Sequence, residues 1–123
     1  MGDLVEERVK WIEYKGKDIL DYDYTNLQGD EFVETIKVLT DHLMNIGKED
    51  ILLLLDLTNS FTNKAVVNAF TEAGKRVRPV VKKTAVLGIT GVKKVLLNVV
   101  NKLSSIDANP FSTKEDAKEW LIS

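Results

Sequence analysis

Three stretches of the chain repeat apolar side chains with the 3.6-residue period of an α-helix. The first runs from about Asp30 to Ile46, with Gly47 placed for a left-handed C-terminal cap. The second ends at Arg78, because Pro79 disfavours helical geometry in the residue before it. The third, over residues 92–103, has the most regular stripe of the chain. The apolar positions are Phe32, Ile36, Leu39 and Leu43; Val66, Ala69, Phe70, Ala73 and Val77; and Val92, Val95, Leu96, Val99, Val100 and Leu103.

Other apolar patterns predict β-strands. Residues 9–14 and 18–24 flank the turn signal Lys15-Gly16-Lys17, and the second of them alternates apolar and acidic side chains, which predicts a β-hairpin. Residues 51–57 and 84–88 are short apolar runs without alternation. Such runs are typical of central strands in a parallel sheet that is covered on both faces.

The C-terminal segment predicts an edge strand and a last helix. Residues 109–111 read Asn-Pro-Phe, and an edge strand tolerates the proline. Ser112 and Glu115 have the spacing of a capping box, with Ser112 as the N-cap. The helix that they open is predicted to run to about Leu121.

The order of the predicted elements is β-β-α-β-α-β-α-(β)-α. Strands that alternate with helices form a mostly parallel sheet, and the opening hairpin adds one antiparallel neighbour. We therefore expect an α/β fold with a mixed sheet of four or five strands and four helices. A length of 123 residues is that of one domain, so residues 1–123 are expected to form a single domain.

Charge is segregated along the chain, although the net charge is only −2. Residues 1–63 hold 6 basic and 14 acidic side chains, whereas residues 64–102 hold 9 basic and 1 acidic side chain. Such blocks can attract a protein partner or a second copy of the chain, or they can compensate each other across the fold. Phe70 is the only aromatic residue of the basic block and lies on a helix stripe, so no nucleic-acid binding is expected.

The composition limits the chemistry that this chain can carry out. Cysteine is absent, which removes disulfides and thiolate sites and fits a reducing cytoplasm. His42, the single histidine, lies off its helix stripe and is predicted to be a solvated surface residue. No sequence signal places a catalytic nucleophile near it. Asp21 and Asp23 share one face of the hairpin; paired carboxylates can bind a divalent cation, but a solvated strand face has the same pattern. We expect no metal site, cofactor, catalytic set or membrane-spanning segment.

Polar loops 56–63 and 88–91 each follow a predicted strand and lead into a helix. Ligands of α/β sheets bind beyond the carboxyl ends of the strands, and helix N-termini favour anions, so we expect a protein partner or a small anionic ligand here. Helix capping is the alternative, with Thr62 or Asn63 as one N-cap and Thr90 as the other. The candidate binding residues are Asp56, Thr58, Asn59, Ser60, Thr62, Asn63, Thr90 and Gly91.

Four segments in this order and spacing resemble the STAS domain family. They are YKGKDIL at 14–20, LDLTN at 55–59, KTAVLG at 83–88 and EWL at 119–121. The chain is most similar to small stand-alone STAS-like proteins, which are similar to the sporulation anti-sigma-factor antagonist, over about residues 9–121. The resemblance implies a STAS fold, in which helices cover mainly one side of the sheet.

The resemblance also implies a non-enzymatic regulatory or interaction module. In STAS antagonists a partner kinase phosphorylates a hydroxyl in an Asp-Ser-Ser/Thr-Gly motif at the start of the second helix. This chain has Ser60-Phe61-Thr62-Asn63-Lys64 there, so the motif is missing, and Thr62 or Ser60 is the candidate phosphoacceptor. The alternative function is a small-molecule or lipid carrier with an apolar pocket under the second and third helices, and a hydrolase ranks third. The charge blocks also allow a homodimer.

Overall fold

The structure is a computed structural model that describes residues 2–123, with side chains from residue 4 onward. It has the predicted α/β architecture, with a mixed five-stranded sheet in the order β1-β2-β3-β4-β5. The helices are α1 (Gly2–Arg8), α2 (Gly29–Met44), α3 (Lys64–Val77), α4 (Val92–Ser104) and α5 (Lys114–Ile122), and the strands are β1 (Val9–Tyr14), β2 (Lys17–Asp23), β3 (Ile51–Asp56), β4 (Val81–Leu87) and β5 (Ala108–Phe111).

The sheet pairs as the element order predicts. Strands β1 and β2 form the antiparallel hairpin, with Val9 opposite Tyr22 and Tyr14 opposite Lys17. Lys15 and Gly16 form its two-residue turn and both have positive φ angles, 50° and 84°, as the tightest hairpin turns require. The pairs β2–β3, β3–β4 and β4–β5 are parallel, so the predicted edge strand β5 is confirmed.

Helix α1 was not predicted. Its 7 residues make about two turns, which is too short for an apolar period to be recognised. Val5 packs against the core under α2, and Arg8 donates hydrogen bonds to the carbonyl oxygens of Asp23 and Thr25 at 3.0 and 3.2 Å. Tertiary contacts of the hairpin therefore hold this helix.

The sheet has two unequal apolar faces. Leu20, Tyr22 and Leu53 lie on the face that α2, α3 and α4 cover. Leu54 and Ala85 lie on the opposite face, where they pack against α5. The expectation of helices mainly on one side of the sheet is confirmed.

The stripe of α4 is only partly buried, contrary to the predicted pattern. Its residues Val92, Val95, Val99 and Leu103 are 70%, 61%, 39% and 58% exposed. Gly74 of α3 lies so close to Ser104 that a Cβ atom at Gly74 would be 2.8 Å from the Ser104 hydroxyl. This contact between small residues brings the C-terminal end of α4 close to α3, while the apolar row lies on the outer side of the helix. We call these four residues the α4 ridge.

Two helix ends also differ from prediction. Thr113, not Ser112, caps α5, because its side chain accepts a hydrogen bond from the backbone N–H of Asp116 at 3.1 Å. Helix α2 ends at Met44, two residues before Ile46, and Gly47 lies in the following loop with φ +78°.

Candidate functional site

The two polar loops leave the sheet side by side. The backbone N–H of Leu57, just after β3, donates to the carbonyl oxygen of Leu87 at the end of β4, at 2.9 Å. Gly88 approaches the backbone of Thr58 so closely that a Cβ atom there would be 2.4 Å from the Thr58 nitrogen. Loops 56–63 and 88–91 therefore form one continuous surface at the carboxyl edge of the sheet, which we call the rim.

Several predicted site residues shape the first loop of the rim. Asp56 accepts a hydrogen bond from the backbone N–H of Thr58 at 3.0 Å. The Asn59 side chain donates to Asn26 Oδ1 at 2.6 Å, and Asn59 has a φ of +58°. Ser60 is buried, and its hydroxyl donates to the Leu57 carbonyl at 2.7 Å. These side chains hold the loop in one conformation.

Of the three candidate N-cap residues Thr62, Asn63 and Thr90, only Asn63 caps a helix. The Asn63 side chain accepts from the backbone N–H of Val66 at 2.9 Å and so caps α3. The N-cap of α4 is Gly91, which has no side chain, rather than Thr90. Among the side chains described, the hydroxyls of Thr62 and Thr90 have no hydrogen-bond partner. Both remain available to a ligand or a partner.

A groove of about 490 Å³ lies between the two loops. Phe61 and Val92 stand at this groove and are 62% and 70% exposed. The backbone N–H of Phe61 donates to the Leu27 carbonyl at 2.9 Å, so the aromatic side chain projects from a fixed loop. The groove is lined by Thr58, Asn59, Ser60, Phe61, Thr62, Gly88, Thr90, Val92, Lys93 and Leu96. No carboxylate is among these residues.

The sequence prediction did not include Phe61 or Lys93. The sequence signal for Phe61 is a large aromatic residue inside the otherwise polar stretch 58–63, since a turn needs no such side chain. Lys93 lies in the first turn of α4. Its position above the ends of β3 and β4 follows from the parallel pairing of these strands and from the short loop between β4 and α4, and it is not visible in spacing alone.

An apolar cavity of about 100 Å³ lies below the groove, between the sheet and helices α3 and α4. Phe70, Ala73 and Val100 are among its walls. The cavity and the groove are neighbours, and Thr62, Lys93 and Leu96 line both.

Of the two hairpin carboxylates, Asp21 is less solvated than predicted, whereas the Asp23 side chain is 46% exposed. Asp21 is 7% exposed, and its carboxylate lies 3.0 Å from Lys114 Nζ of α5. Asp23 accepts a hydrogen bond from the backbone N–H of Thr25 at 2.8 Å and lies 3.8 Å from Arg8. The ion pair with Lys114 permits the burial of Asp21. Within the described residues no group of three or more potential ligands is arranged to hold a metal ion.

His42 is half-buried, so the prediction of a solvated residue was wrong. Its Nδ1 atom lies 2.9 Å from the Tyr22 hydroxyl, on the side of α2 that faces β2. Burial lowers the pKa of His42 from its usual value of 6.5 and raises the pKa of Tyr22. The tautomer of neutral His42 decides which of the two groups donates in this hydrogen bond.

We expect this pair to make the stability of the protein depend on pH. Because the pKa of His42 is lowered by folding, the unfolded chain binds more protons as pH falls through about 6.5, and the free energy of unfolding falls with it. Urea unfolding at pH 7.5 and 5.5 measures this loss, which His42→Gln should reduce. An equal loss in the variant would assign the pH dependence to other groups.

The comparisons with known proteins agree with this architecture. The family model described as SpoIIAA-like matches residues 11–122. The chain belongs to the SpoIIAA-like family. A crystal structure of an uncharacterized protein of the DUF3478 family from Shewanella loihica PV-4, described as having a SpoIIAA-like fold, superposes with a TM-score of 0.69 at 19% identity. The match covers 92% of this chain and 91% of that one. No curated protein matches the chain.

Family membership confirms the STAS-like resemblance and indicates a function in general terms. SpoIIAA-like domains generally act as non-enzymatic regulators, and they typically bind protein partners. None of the helices in the described part of the chain is long and apolar enough to cross a membrane.

Proposed function

We propose that this SpoIIAA-like protein is a non-enzymatic regulatory module that binds a protein partner at the rim. The observation that carries the proposal is Phe61, an aromatic side chain that is 62% exposed on a loop held by backbone hydrogen bonds. Exposed aromatic residues on rigid supports are typical anchors of protein interfaces, because they bury a large area at little cost in conformational entropy.

The α4 ridge extends this apolar surface away from the rim. Helix α4 also carries Lys93, Lys94 and Lys102 and has no acidic residue. An apolar row flanked only by positive charge suits a partner segment whose apolar side chains are flanked by carboxylates. A second copy of this chain that docked through the same helix would bring lysines together, which disfavours that form of homodimer.

The free hydroxyls of the rim suit a regulatory role. Thr62 is half-buried at the start of α3, beside the cap residue Asn63, whereas Ser60 is 3% exposed and hydrogen-bonded. We therefore propose Thr62 ahead of Ser60 as the phosphoacceptor. A phosphate at the start of a helix is favoured by the free amides and the helix dipole.

Replacing Phe61 by alanine should weaken partner binding at least tenfold and leave the melting temperature within about 2 °C of wild type, since the side chain contributes little to the core. The partner is first captured from the native host, and its affinity for each purified variant is then measured by calorimetry. Met44→Ala is the matched control, because Met44 is an apolar residue, 39% exposed, at the end of α2.

Equal binding by wild type and Phe61→Ala would contradict the proposed interface. Equal losses in Phe61→Ala and Met44→Ala would contradict it as well. Affinity should also fall as salt rises, because the lysines of α4 face a partner of opposite charge. Light scattering at low and high salt tests the alternative that the charge blocks hold a homodimer.

A small-molecule or lipid carrier is the second candidate, and the cavity under α3 and α4 favours it. Val95 and Val99, which could have filled the space above the sheet, point to solvent instead. A bound ligand in native mass spectra of the purified protein would support this function.

Whichever function holds, the absence of cysteine is the basis on which we propose a cytoplasmic location.

A further inference from the structure

The cavity and the groove are adjacent and differ in chemical character, and Thr62, Lys93 and Leu96 line both of them. The inner part, about 100 Å³, is walled mostly by apolar side chains, with Phe70 and Leu97 from the helices and Leu55 from the sheet. The outer part is the open groove, whose walls include the hydroxyls of Thr58, Thr62 and Thr90. A ligand that filled both parts would need an apolar body and a polar head.

Lys93 stands at the junction of the two parts. Its Nζ atom lies 3.4 Å from the Leu57 carbonyl oxygen and 3.5 Å from the Gly88 carbonyl oxygen. Both distances exceed the range of roughly 2.7–3.2 Å for an ordinary N–H···O hydrogen bond. None of the salt bridges among the side chains of residues 4–123 includes Lys93. The ammonium group is therefore held loosely at the mouth of an apolar cavity.

We propose that this space binds a small amphiphilic monocarboxylate, with Lys93 as the anchor of its carboxylate. An apolar cavity of about 150 Å³ can bind benzene, so one of 100 Å³ suits an apolar body of about four or five carbon atoms. A single lysine with neighbouring hydroxyls matches one negative charge, and the groove lining has no carboxylate that would repel it. The inference rests on the carrier function proposed above and names its ligand class; it does not depend on the protein partner.

The first test compares hexanoate with hexan-1-ol and butanoate. Each is titrated into ¹⁵N-labelled full-length protein, and amide shifts are followed by NMR. Hexanoate should give saturable shifts at cavity residues such as Ala73 and Val100. Butanoate should bind about 15-fold more weakly, because each of the two lost methylenes contributes about fourfold. Hexan-1-ol should enter the cavity more weakly than hexanoate.

The second test removes the anchor. Lys93→Met should weaken hexanoate binding about tenfold, as expected for the loss of a charge-assisted hydrogen bond, and should leave hexan-1-ol binding unchanged. Lys94→Met is the matched control: it removes the same charge from the adjacent, exposed position of α4 and should change hexanoate affinity less than twofold.

The outcomes separate this inference from the function on which it rests. If hexan-1-ol binds as tightly as hexanoate, or if Lys93→Met and Lys94→Met have equal effects, the cavity still takes apolar ligands but the carboxylate anchor is wrong. If neither ligand shifts the cavity amides, the carrier function fails together with the inference. Neither result bears on the Phe61 interface, which is tested with the protein partner.

Discussion

Replacing Phe32 by alanine is expected to lower the free energy of unfolding by about 4 kcal/mol. Phe32 lies in the first turns of α2 and is fully buried against the sheet. Its ring centroid is 5.9 Å from that of Tyr24 and 5.6 Å from that of Phe70, and the second pair is edge-to-face. Truncation removes the buried ring and leaves a cavity between α2, α3 and Tyr24, which follows β2, and such tightly packed sites collapse poorly.

Urea unfolding followed by circular dichroism measures this loss. Phe32→Leu is the matched control, because it keeps most of the apolar volume and loses only the aromatic contacts; we expect about 1.5 kcal/mol. A loss below about 2 kcal/mol for Phe32→Ala would mean that the surrounding helices close over the gap, and that this aromatic cluster is not the centre of the core.

The elements with a strong period could be predicted because their burial follows directly from local pattern. The apolar residues of the α2 stripe are all buried, and the runs that became β3 and β4 lie side by side in the middle of the sheet. Strand β4 begins at Val81, whereas the prediction began it at residue 84. The prediction missed the first three residues because they are not fully buried and show no apolar run. Helix α4 shows the limit: a regular stripe establishes the helix, but tertiary contacts decide which apolar row is covered.

The location of the candidate site could be predicted from the sequence, but the residues that form it could be predicted only in part. Parallel topology places the ends of β3 and β4 at the same edge, so the two polar loops could be recognised as neighbours. What each residue does there depends on contacts over long sequence separations. Asn59 pairs with Asn26, and Lys93 reaches the Leu57 carbonyl across 36 residues. No local pattern contains those contacts.

Replacing Gly88 by alanine is expected to lower the free energy of unfolding by about 3 kcal/mol. Gly88 has a φ of +81°, which costs an alanine residue roughly 1 kcal/mol. The added Cβ atom would also lie 2.4 Å from the Thr58 nitrogen and 2.6 Å from its Cα, closer than real Cβ contacts allow. Because backbone atoms cannot move aside as a flexible side chain can, the two loops of the rim must separate, at a further cost of about 2 kcal/mol.

Gly16→Ala isolates the contact from the backbone conformation. Gly16 has a φ of +84°, close to that of Gly88, but no atom lies within 4 Å of the position its Cβ would take. It should therefore lose only the conformational contribution of about 1 kcal/mol. Equal losses in the two variants would mean that the loops do not touch as described. A larger loss in Gly88→Ala, with altered amide shifts in residues 56–63, would show that contact between the loops holds the rim in its conformation, on which both proposed binding functions depend.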